Sequence, residues 1–357
     1  MSKIMLVGCD LHDKNMLLMF AANRAAPNKK TFLNSRESRR KMIKGLLEHA
    51  REIGASKTVF AYEASGLGFG LYDELTEAGI ICHVLAPTRI ERSSKERRNK
   101  TDEKDALRIL EILRGHYLAG NRLPDVWIPP VETRDDRELV RCRLDVQDKI
   151  TCVKTQIRTL LKRNGIEKLD SLGGSWTRKY YEWLEALSVC DEPLASGARK
   201  NLSSLLRQLK TLEAEIESLD KDIRALSQDE RYAKKVRALI ALAGVGMLSA
   251  MVFLTELGDL RRFKNRRQIG SYLGVVPAAY ESGEASDRKG HITHQGPDRV
   301  RCMLCQCAWN HVRFDEDAKA FYGRIVAKNP KKKKKALVAA MRRLAIRMWH
   351  IVLEVEA

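Results

Sequence analysis

Residues 4–10 have the sequence Ile-Met-Leu-Val-Gly-Cys-Asp, a short apolar run that ends at an aspartate. A run of this length is typical of a buried β-strand. The pattern of apolar and polar residues on either side predicts further strands at 15–21, 31–34, 57–61 and 80–85, and helices at 38–53, 67–78 and from 102 to about 116. Strands that come first and then alternate with helices predict an α/β domain in the N-terminal third of the chain.

The overall charge favours a polyanionic partner. The 357 residues include 65 Lys and Arg against 46 Asp and Glu, a formal net charge of +19. Such an excess favours phosphate contacts and counterion release on nucleic acid. No apolar run approaches the ~20 residues that a membrane span needs, and the first residues lack the pattern of a signal peptide. Eight scattered cysteines indicate reduced thiols. We therefore expect a cytoplasmic protein that does not act at a membrane.

The middle of the chain has the apolar spacing of long paired helices. Its strictest seam, with steps of three and four residues, consists of Leu202, Leu205, Leu209, Leu212, Ile216, Leu219, Ile223 and Leu226. This heptad pattern predicts a coiled-coil helix. A looser seam, with a phase slip at Ile150, runs from Leu139 through Cys142 to Leu160. The two helices are predicted to pair within one chain, across a dimer, or both.

Four carboxylates stand at positions that favour metal binding. Asp10 ends the first predicted strand, Glu63 follows the fourth, and Asp102 and Asp105 begin a helix. Neighbouring strand ends meet at one edge of a sheet, and residues three apart share a helix face. Carboxylate oxygens suit Mg²⁺, with Mn²⁺ as the other candidate, and such ions support phosphodiester chemistry. The alternative is that each is an ordinary surface group, with Asp102 as a helix N-cap.

Two features of the C-terminal third have both a functional and a structural explanation. Gly244-Val245-Gly246 resembles a helix-hairpin-helix turn, in which backbone amides at a helix N-terminus hold a DNA phosphate. The alternative is a glycine break within a hydrophobic core. Ser282 stands in Tyr-Glu-Ser-Gly, and the residues alone identify it as a turn residue, since a serine hydroxyl needs a base or a metal to become a nucleophile.

Other motifs are weaker. His291 with His294, and Cys302 with Cys305, have zinc-like spacing, but the cysteines fall on a predicted helix from Pro297 to about Arg313, where small buried thiols are normal. Aromatic residues at 176–183 are predicted to pack at the tip of a helical hairpin, with base stacking as the alternative. The basic residues predicted to contact phosphate are Arg97, Arg98, Lys100, Lys331, Lys332 and Lys333.

The motifs together resemble the DEDD transposases of bacterial insertion sequences, a family of bridge-RNA-guided recombinases. Residues 99–106, Asn-Lys-Thr-Asp-Glu-Lys-Asp-Ala, are similar to the specific NKTDxxDA motif of that family. Gly-Cys-Asp at 8–10 and Tyr-Glu-Ala-Ser-Gly at 62–66 resemble its first two acidic motifs. Residues 267–277 and 280–283 resemble its C-terminal signature, as do the Gly-Val-Gly turn and residues 292–296. One departure is His294, which stands where a lysine is usual and is expected to affect phosphate contact.

The resemblance implies a specific mechanism. Asp10, Glu63, Asp102 and Asp105 would bind Mg²⁺ in a ribonuclease H-like (RuvC-like) domain, and Ser282 would attack DNA to form a covalent phosphoserine. A structured bridge RNA would pair with target and donor DNA, while the protein contacts shape and backbone. The acidic cluster of one subunit would meet the serine of another, in homodimers that join into a tetramer.

The expected organisation is multidomain. A RuvC-like catalytic domain is predicted at 1–125, a region of long antiparallel coiled-coil helices for dimerisation at 126–231, and a mostly α-helical transposase domain at 232–357. Two other functions stay open from the sequence. A hydrolytic RuvC-like junction endonuclease would use the carboxylates alone, and a non-enzymatic architectural nucleic-acid-binding protein would need neither serine nor carboxylates. Four carboxylates in a basic protein disfavour the architectural function, because without a metal they would repel phosphate.

Overall fold

A computed structural model describes residues 2–90, 101–174, 176–279, 289–328 and 330–356 of the chain. The chain divides into two compact units, Met1–Ile128 and Pro129–Ala357. The first unit contains a β-sheet with flanking helices, and the second is mainly helical. The predicted α/β N-terminal domain and the predicted helical C-terminal region are both confirmed.

The first unit contains five strands and three α-helices among its described residues. In chain order they are β1 (Ile4–Leu11), β2 (Asn15–Ala22), β3 (Asn28–Leu33), α1 (Arg36–Glu52), β4 (Lys57–Glu63), α2 (Gly70–Glu77), β5 (Ile81–Leu85) and α3 (Asp102–Ala119). Each strand predicted from the sequence is present, and β3 begins three residues earlier than its apolar residues indicated. The early start falls on exposed polar residues, which pairing with β2 keeps extended.

The sheet has the strand order β3-β2-β1-β4-β5. The first three strands form an antiparallel meander, whereas β4 pairs parallel with both β1 and β5. The last matched pair between β1 and β4 is Cys9 with Tyr62. Asp10 and Glu63 therefore follow at neighbouring positions on the same edge of the sheet.

Helices cover both faces of this sheet. One face packs its alternate residues, among them Val7, Cys9 and Tyr62, against α1 and α2. The opposite face, which includes Leu6 and Ala61, packs against Ala106, Ile109, Leu110 and Leu113 of α3. Side chains alternate between faces along a strand, so Gly8 and Asp10 lie on the α3 side.

The second unit contains nine α-helices and one small hairpin among its described residues. In chain order they are α4 (Val131–Arg163), α5 (Arg178–Val189), α6 (Ser196–Ser227), α7 (Ala233–Ile240), α8 (Met247–Leu257), α9 (Arg266–Tyr272), β6 (Pro277–Ala279), β7 (Lys289–Ile292), α10 (Asp298–Phe314), α11 (Glu316–Lys328) and α12 (Lys333–Glu356). Helix α8 is buried along most of its length in this unit's main core.

The two long helices α4 and α6 pack against each other. Arg143 forms an ion pair with Asp220, and Lys154 forms one with Glu213. Since the earlier residue of α4 pairs with the later residue of α6, the two helices are antiparallel. The heptad leucines of α6 are buried or half-buried, whereas Cys142 of the looser seam is exposed. Placing Cys142 in the buried seam was wrong, because the apolar stripe of α4 changes phase in this part of the helix. Coiled-coil geometry for the pair stays a prediction.

The second unit also contains two short strands that the sequence did not predict. Residues 289–292 form β7, which pairs antiparallel with β6. Alternation was hard to recognise in so short a strand, which includes Lys289 and Gly290. No described helix is long and apolar enough to cross a bilayer.

Candidate metal centre

The candidate metal centre lies at the edge of the first unit's sheet where β1 and β4 end. Asp10 is the seventh residue of the eight-residue strand β1, and Glu63 is the last residue of β4. The side chain of Asp10 is only 16% exposed. Because the two strands are parallel and adjacent, both carboxylates belong to the same edge, as the sequence predicted.

Gly8 allows α3 to approach this edge. A Cβ atom at Gly8 would lie 2.3 Å from the carbonyl oxygen of Ala106 and 2.4 Å from the amide nitrogen of Leu110. Both are backbone atoms of α3, so no side-chain rotation would relieve the contact. Only glycine therefore permits the helix to lie directly on β1, two residues from Asp10 and on the same face.

The first turn of α3 carries the other two acidic residues. Thr101 is the N-cap, and its hydroxyl accepts a hydrogen bond from the amide of Lys104 at 3.4 Å. The capping role proposed as an alternative for Asp102 is thus filled by its neighbour. Asp102 is 61% exposed and Asp105 is buried. Both residues lie near the positive end of the helix dipole, which attracts negative charge.

Asp10 and Asp102 converge on a third residue, His12. Its Nε2 lies 3.0 Å from Asp10 Oδ2 and 3.6 Å from Asp102 Oδ1. One ligand atom from each of these three residues lies within 4.8 Å of the others. Glu63 is outside this group of three and stays one strand away.

Electrostatics link Asp105 to the same cluster. Burial raises the pKa of the Asp10 carboxyl above its ordinary value, His12 opposes that shift, and the negative charges of Asp102 and Asp105 add to it. Asp10 is therefore harder to ionise than an exposed aspartate. A cation among these groups would offset both the cost of burial and the repulsion.

The donor set fits a hard divalent cation. Asp10, Asp102 and Asp105 offer carboxylate oxygens, which Mg²⁺ and Mn²⁺ prefer, and the exposed Asp102 leaves the cluster open to solvent and substrate. His12 adds one ring nitrogen, a ligand that suits softer ions better. A bound divalent ion at such a site polarises phosphoryl oxygens and helps to activate a hydroxyl nucleophile.

We expect Asp10→Asn to raise the thermal stability of the metal-free protein. The raised pKa means that the folded state holds this proton more tightly than the unfolded state, so ionised Asp10 costs stability above that pKa. The cost disappears as pH falls through the raised pKa, and the amide removes it at every pH. Wild-type protein should gain about 2 °C or more in Tm when millimolar Mg²⁺ is added.

Differential scanning fluorimetry with EDTA and with Mg²⁺ measures both effects. Asp10→Asn should lose most of the Mg²⁺-induced shift, whereas Glu77→Gln, an exposed acid on α2, should retain it. An equal Mg²⁺ shift in wild type and Asp10→Asn would show that the cation binds elsewhere.

The Gly-Val-Gly segment forms a turn between α7 and α8. Gly244 has a φ of 83°, and a Cβ there would lie 2.7 Å from the backbone nitrogen of His311 on α10. The Nδ1 atom of His311 also lies 2.9 Å from the Ala243 carbonyl oxygen. Gly246 is the exposed N-cap of α8 and offers no side-chain cap. Gly244 is therefore packed against α10, and Gly246 is open to solvent. A DNA phosphate contact at this turn stays a prediction.

Several other predicted residues have defined positions. Lys331 and Lys332 lie in a short 3-10 turn, Lys333 begins α12, and all three are exposed. His294 is exposed and has a φ of 53°. The predictions for Arg97, Arg98, Lys100 and Ser282 lie outside the described residues.

The zinc motif and the aromatic cluster are both part of the second unit. Cys302 and Cys305 lie on α10, and the residues that the structure describes do not bring them together with His291 and His294 as a metal-ligand group. Trp176, Tyr180 and Trp183 pack into the core between α4, α5 and α6, which confirms the packing role.

Sequence reasoning missed two residues of the centre. His12 stands two positions after Asp10, so strand periodicity alone puts it on the same face and was the available signal. Gly8 was noticed only as part of a motif. Its steric role depends on which helix covers β1, and that contact is between segments far apart in the chain.

Comparison with known proteins identifies relatives for both units. A family model described as Transposase, of the DEDD IS110 type, matches residues 7–165. A second, described as Transposase IS116/IS110/IS902 family, matches residues 236–323. The first match contains all four predicted metal-binding carboxylates, and the second contains the Gly-Val-Gly turn and Ser282.

Individual relatives agree with the family models. A putative transposase of Sinorhizobium fredii is 33% identical over 252 residues, which is 71% of this chain and 58% of that protein. The transposase for insertion sequence element IS1533 of Leptospira borgpetersenii is 24% identical over 318 residues, 87% of this chain and 86% of that protein. The transposase for element IS1111A of Coxiella burnetii is 23% identical over 73% of this chain and 68% of its own length. Matches to both units, with an acidic cluster in the first, lead to one conclusion: the chain belongs to the IS110/IS116 family of insertion-sequence transposases.

Proposed function

We propose that this transposase cuts and rejoins DNA through a metal-assisted serine nucleophile. Asp10, Glu63, Asp102 and Asp105 hold Mg²⁺, and the Ser282 hydroxyl attacks a DNA phosphodiester. The oxygen–phosphorus bond that forms gives a phosphoserine, and the bond that breaks releases a sugar hydroxyl. The observation that carries the proposal is the convergence of Asp10 on β1 with Asp102 on α3, within ligand distance of each other.

The fold supports a ribonuclease H-like assignment for the first unit. Its sheet joins an antiparallel meander to two parallel strands, with helices on both faces and the acidic residues at one edge. The match of residues 7–165 to a DEDD-type family model agrees with this assignment. An acidic centre in a chain with a net charge of +19 is explained by a metal that brings phosphate to the carboxylates.

A structured RNA supplies sequence choice in this proposal. Base pairing of that RNA with target and donor DNA selects the sites, while the protein contacts backbone and shape. The excess of basic residues supports binding of both nucleic acids, with Gly244, Gly246, His294 and Lys331–Lys333 among the proposed phosphate contacts.

The proposed assembly is a dimer that pairs into a tetramer. The long antiparallel helices α4 and α6 serve dimerisation, and the acidic cluster of one subunit then meets Ser282 of another. This assigns catalysis to 1–125, dimerisation to 126–231 and the nucleophile to 232–357. The burial of heptad residues on α6 supports helix pairing in that middle region.

Ser282→Ala should abolish a covalent protein–DNA adduct, because alanine has no hydroxyl to attack phosphorus. The assay incubates labelled protein with element-end DNA, target DNA, the cognate RNA and Mg²⁺, and resolves the products on denaturing gels. Ser286→Ala, in the same segment of the chain, is the matched control and should form the adduct at the wild-type level.

Two results would contradict the proposal. Free cut ends that persist in Ser282→Ala would identify a hydrolytic RuvC-like nuclease that uses only the carboxylates. Full binding without any cut product in wild type, under every divalent cation tried, would favour an architectural nucleic-acid-binding protein.

A further inference from the structure

The second unit has a groove of about 860 Å³ that no proposed step uses. The short hairpin β6–β7 forms one wall, and α11 and α12 form another. The volume is within the ~300–1,000 Å³ that is typical of small-ligand sites. The groove therefore accommodates a ligand of nucleotide size.

The rim of this groove is strongly basic. Among the residues that the structure describes, its cations are Arg266, Lys334, Lys335, Arg342 and Arg343, and no carboxylate lines it. Among the described residues, none of these five cations forms an ion pair. Five positive charges around one groove repel one another, so an anionic occupant would stabilise the arrangement.

The floor of the groove is apolar. Val275, Pro277, Ile292, Val338 and Ile346 line it, together with the ring of Phe321. The guanidinium of Arg343 stacks over that ring, 4.8 Å from its centroid. A phosphate alone would need only the cations, whereas an apolar floor suits the flat face of an unstacked base.

Helix α12 alternates these two chemistries along one face. Lys334, Val338, Arg342 and Ile346 follow at intervals of four residues, so cation and apolar residue alternate on the same side. From Lys334 to Arg342 the helix rises about 12 Å, the length of a few nucleotides. Duplex DNA presents mainly phosphate and sugar on its outside and would leave the apolar residues without a partner.

We propose that the groove holds a short unpaired segment of the DNA strand that the transposase cuts, with bases on the apolar floor and phosphates on the rim. The choice of DNA rests on the proposed function, since β6 and β7 are the chain segments on either side of Ser282 in the sequence. The site gives the enzyme a preference for strands that are already separated.

Fluorescence anisotropy with a labelled single-stranded DNA oligonucleotide tests the charge of the rim. The full chain is titrated in EDTA, so that no cutting occurs, and the same sequence is also used as duplex DNA. Lys334→Ala combined with Lys335→Ala should weaken single-strand binding about tenfold and lower the slope of log affinity against log salt by about 0.7 for each phosphate lost. Lys210→Ala with Lys221→Ala, exposed lysines of α6 outside the groove, is the control and should change affinity by less than about threefold.

A second variant tests the apolar floor. Val338→Ser should weaken single-strand binding about fivefold with an unchanged salt slope, and should leave duplex affinity at the wild-type value. Equal losses in the groove and control lysine variants, or unchanged single-strand affinity in Val338→Ser, would overturn the proposal. The groove variants are also titrated with single-stranded RNA of the same sequence. If they lose more affinity for this RNA than for single-stranded DNA, the proposal is overturned and the groove is assigned to RNA.

The two proposals fail in different ways. If Ser282 is not the nucleophile, Ser282→Ala still binds the oligonucleotide with the groove-dependent preference. If the groove is not a nucleotide site, its variants bind as wild type does while the protein–DNA adduct still forms.

Discussion

Gly8→Ala is expected to destabilise the first unit by about 3 kcal/mol or more. The new methyl group would meet the backbone of α3 at 2.3 and 2.4 Å, against the ~3.5–4.0 Å of an ordinary contact. Because α3 has no side chain to move at those atoms, the helix must shift by about 1 Å or the strand must bend. Either change separates Asp102 and Asp105 from Asp10.

Urea unfolding of wild type, of Gly8→Ala and of a control variant measures this loss of stability. Gly45→Ala is the control, since a Cβ on this exposed residue of α1 has open space around it. That variant should gain about 0.5–1 kcal/mol from helix propensity. Gly8→Ala should also lose its Mg²⁺-induced thermal shift. Wild-type stability together with a wild-type Mg²⁺ shift would show that close contact between β1 and α3 is unnecessary.

Asp102→Asn is expected to lower the rate of DNA cutting about a thousandfold or more. Loss of one charged ligand from a cluster of three aspartates weakens the cation and the electrostatic stabilisation of the transition state, and about 4 kcal/mol corresponds to that factor. Asparagine retains the shape of aspartate, and the N-cap of α3 is Thr101, so the helix should begin at the same residue.

Glu103→Gln is the matched control for that experiment. Glu103 follows Asp102 in the same helical turn, but its carboxylate pairs with Lys29 at 2.5 Å and is not one of the residues that converge on His12. Cutting by this variant should stay within about threefold of wild type, as expected for loss of an exposed ion pair. Rapid-quench kinetics with element-end DNA, cognate RNA and Mg²⁺ gives both rates. Comparable rates in Asp102→Asn and Glu103→Gln would remove the acidic cluster from the catalytic role.

The sequence predicted most of the first unit's fold because its strands are apolar and its helices amphipathic. The second unit was harder. Helix α11 was missed because only Ala318 of its thirteen residues is fully buried, which leaves little periodicity. The hairpin β6–β7 was missed because its strands span three and four residues, too few to establish alternation.

The sequence allowed the acidic residues of the candidate site to be predicted, but not the packing contacts that hold them in place. Asp10 and Asp102 were identified from strand-end and helix-start positions, and the structure brings them together. Which residue fills the N-cap, how closely α3 lies to Gly8, and where the cations of α12 point depend on tertiary packing. The lysine run is an example: only tertiary packing shows that Lys334 and Lys335 line the groove, whereas phosphate contact by Lys331–Lys333 stays a prediction.

The contact between Gly8 and α3 determines when, during synthesis, the candidate metal centre can assemble. Asp10 is synthesised early, as part of β1. Asp102 and Asp105 are synthesised only with α3, which follows β5 in the chain. A nascent chain that stops before α3 carries the strand carboxylates without their helical partners, and so lacks the assembled cation site. Under the proposed mechanism, DNA cutting is therefore expected only from chains in which α3 has been synthesised and packed on β1.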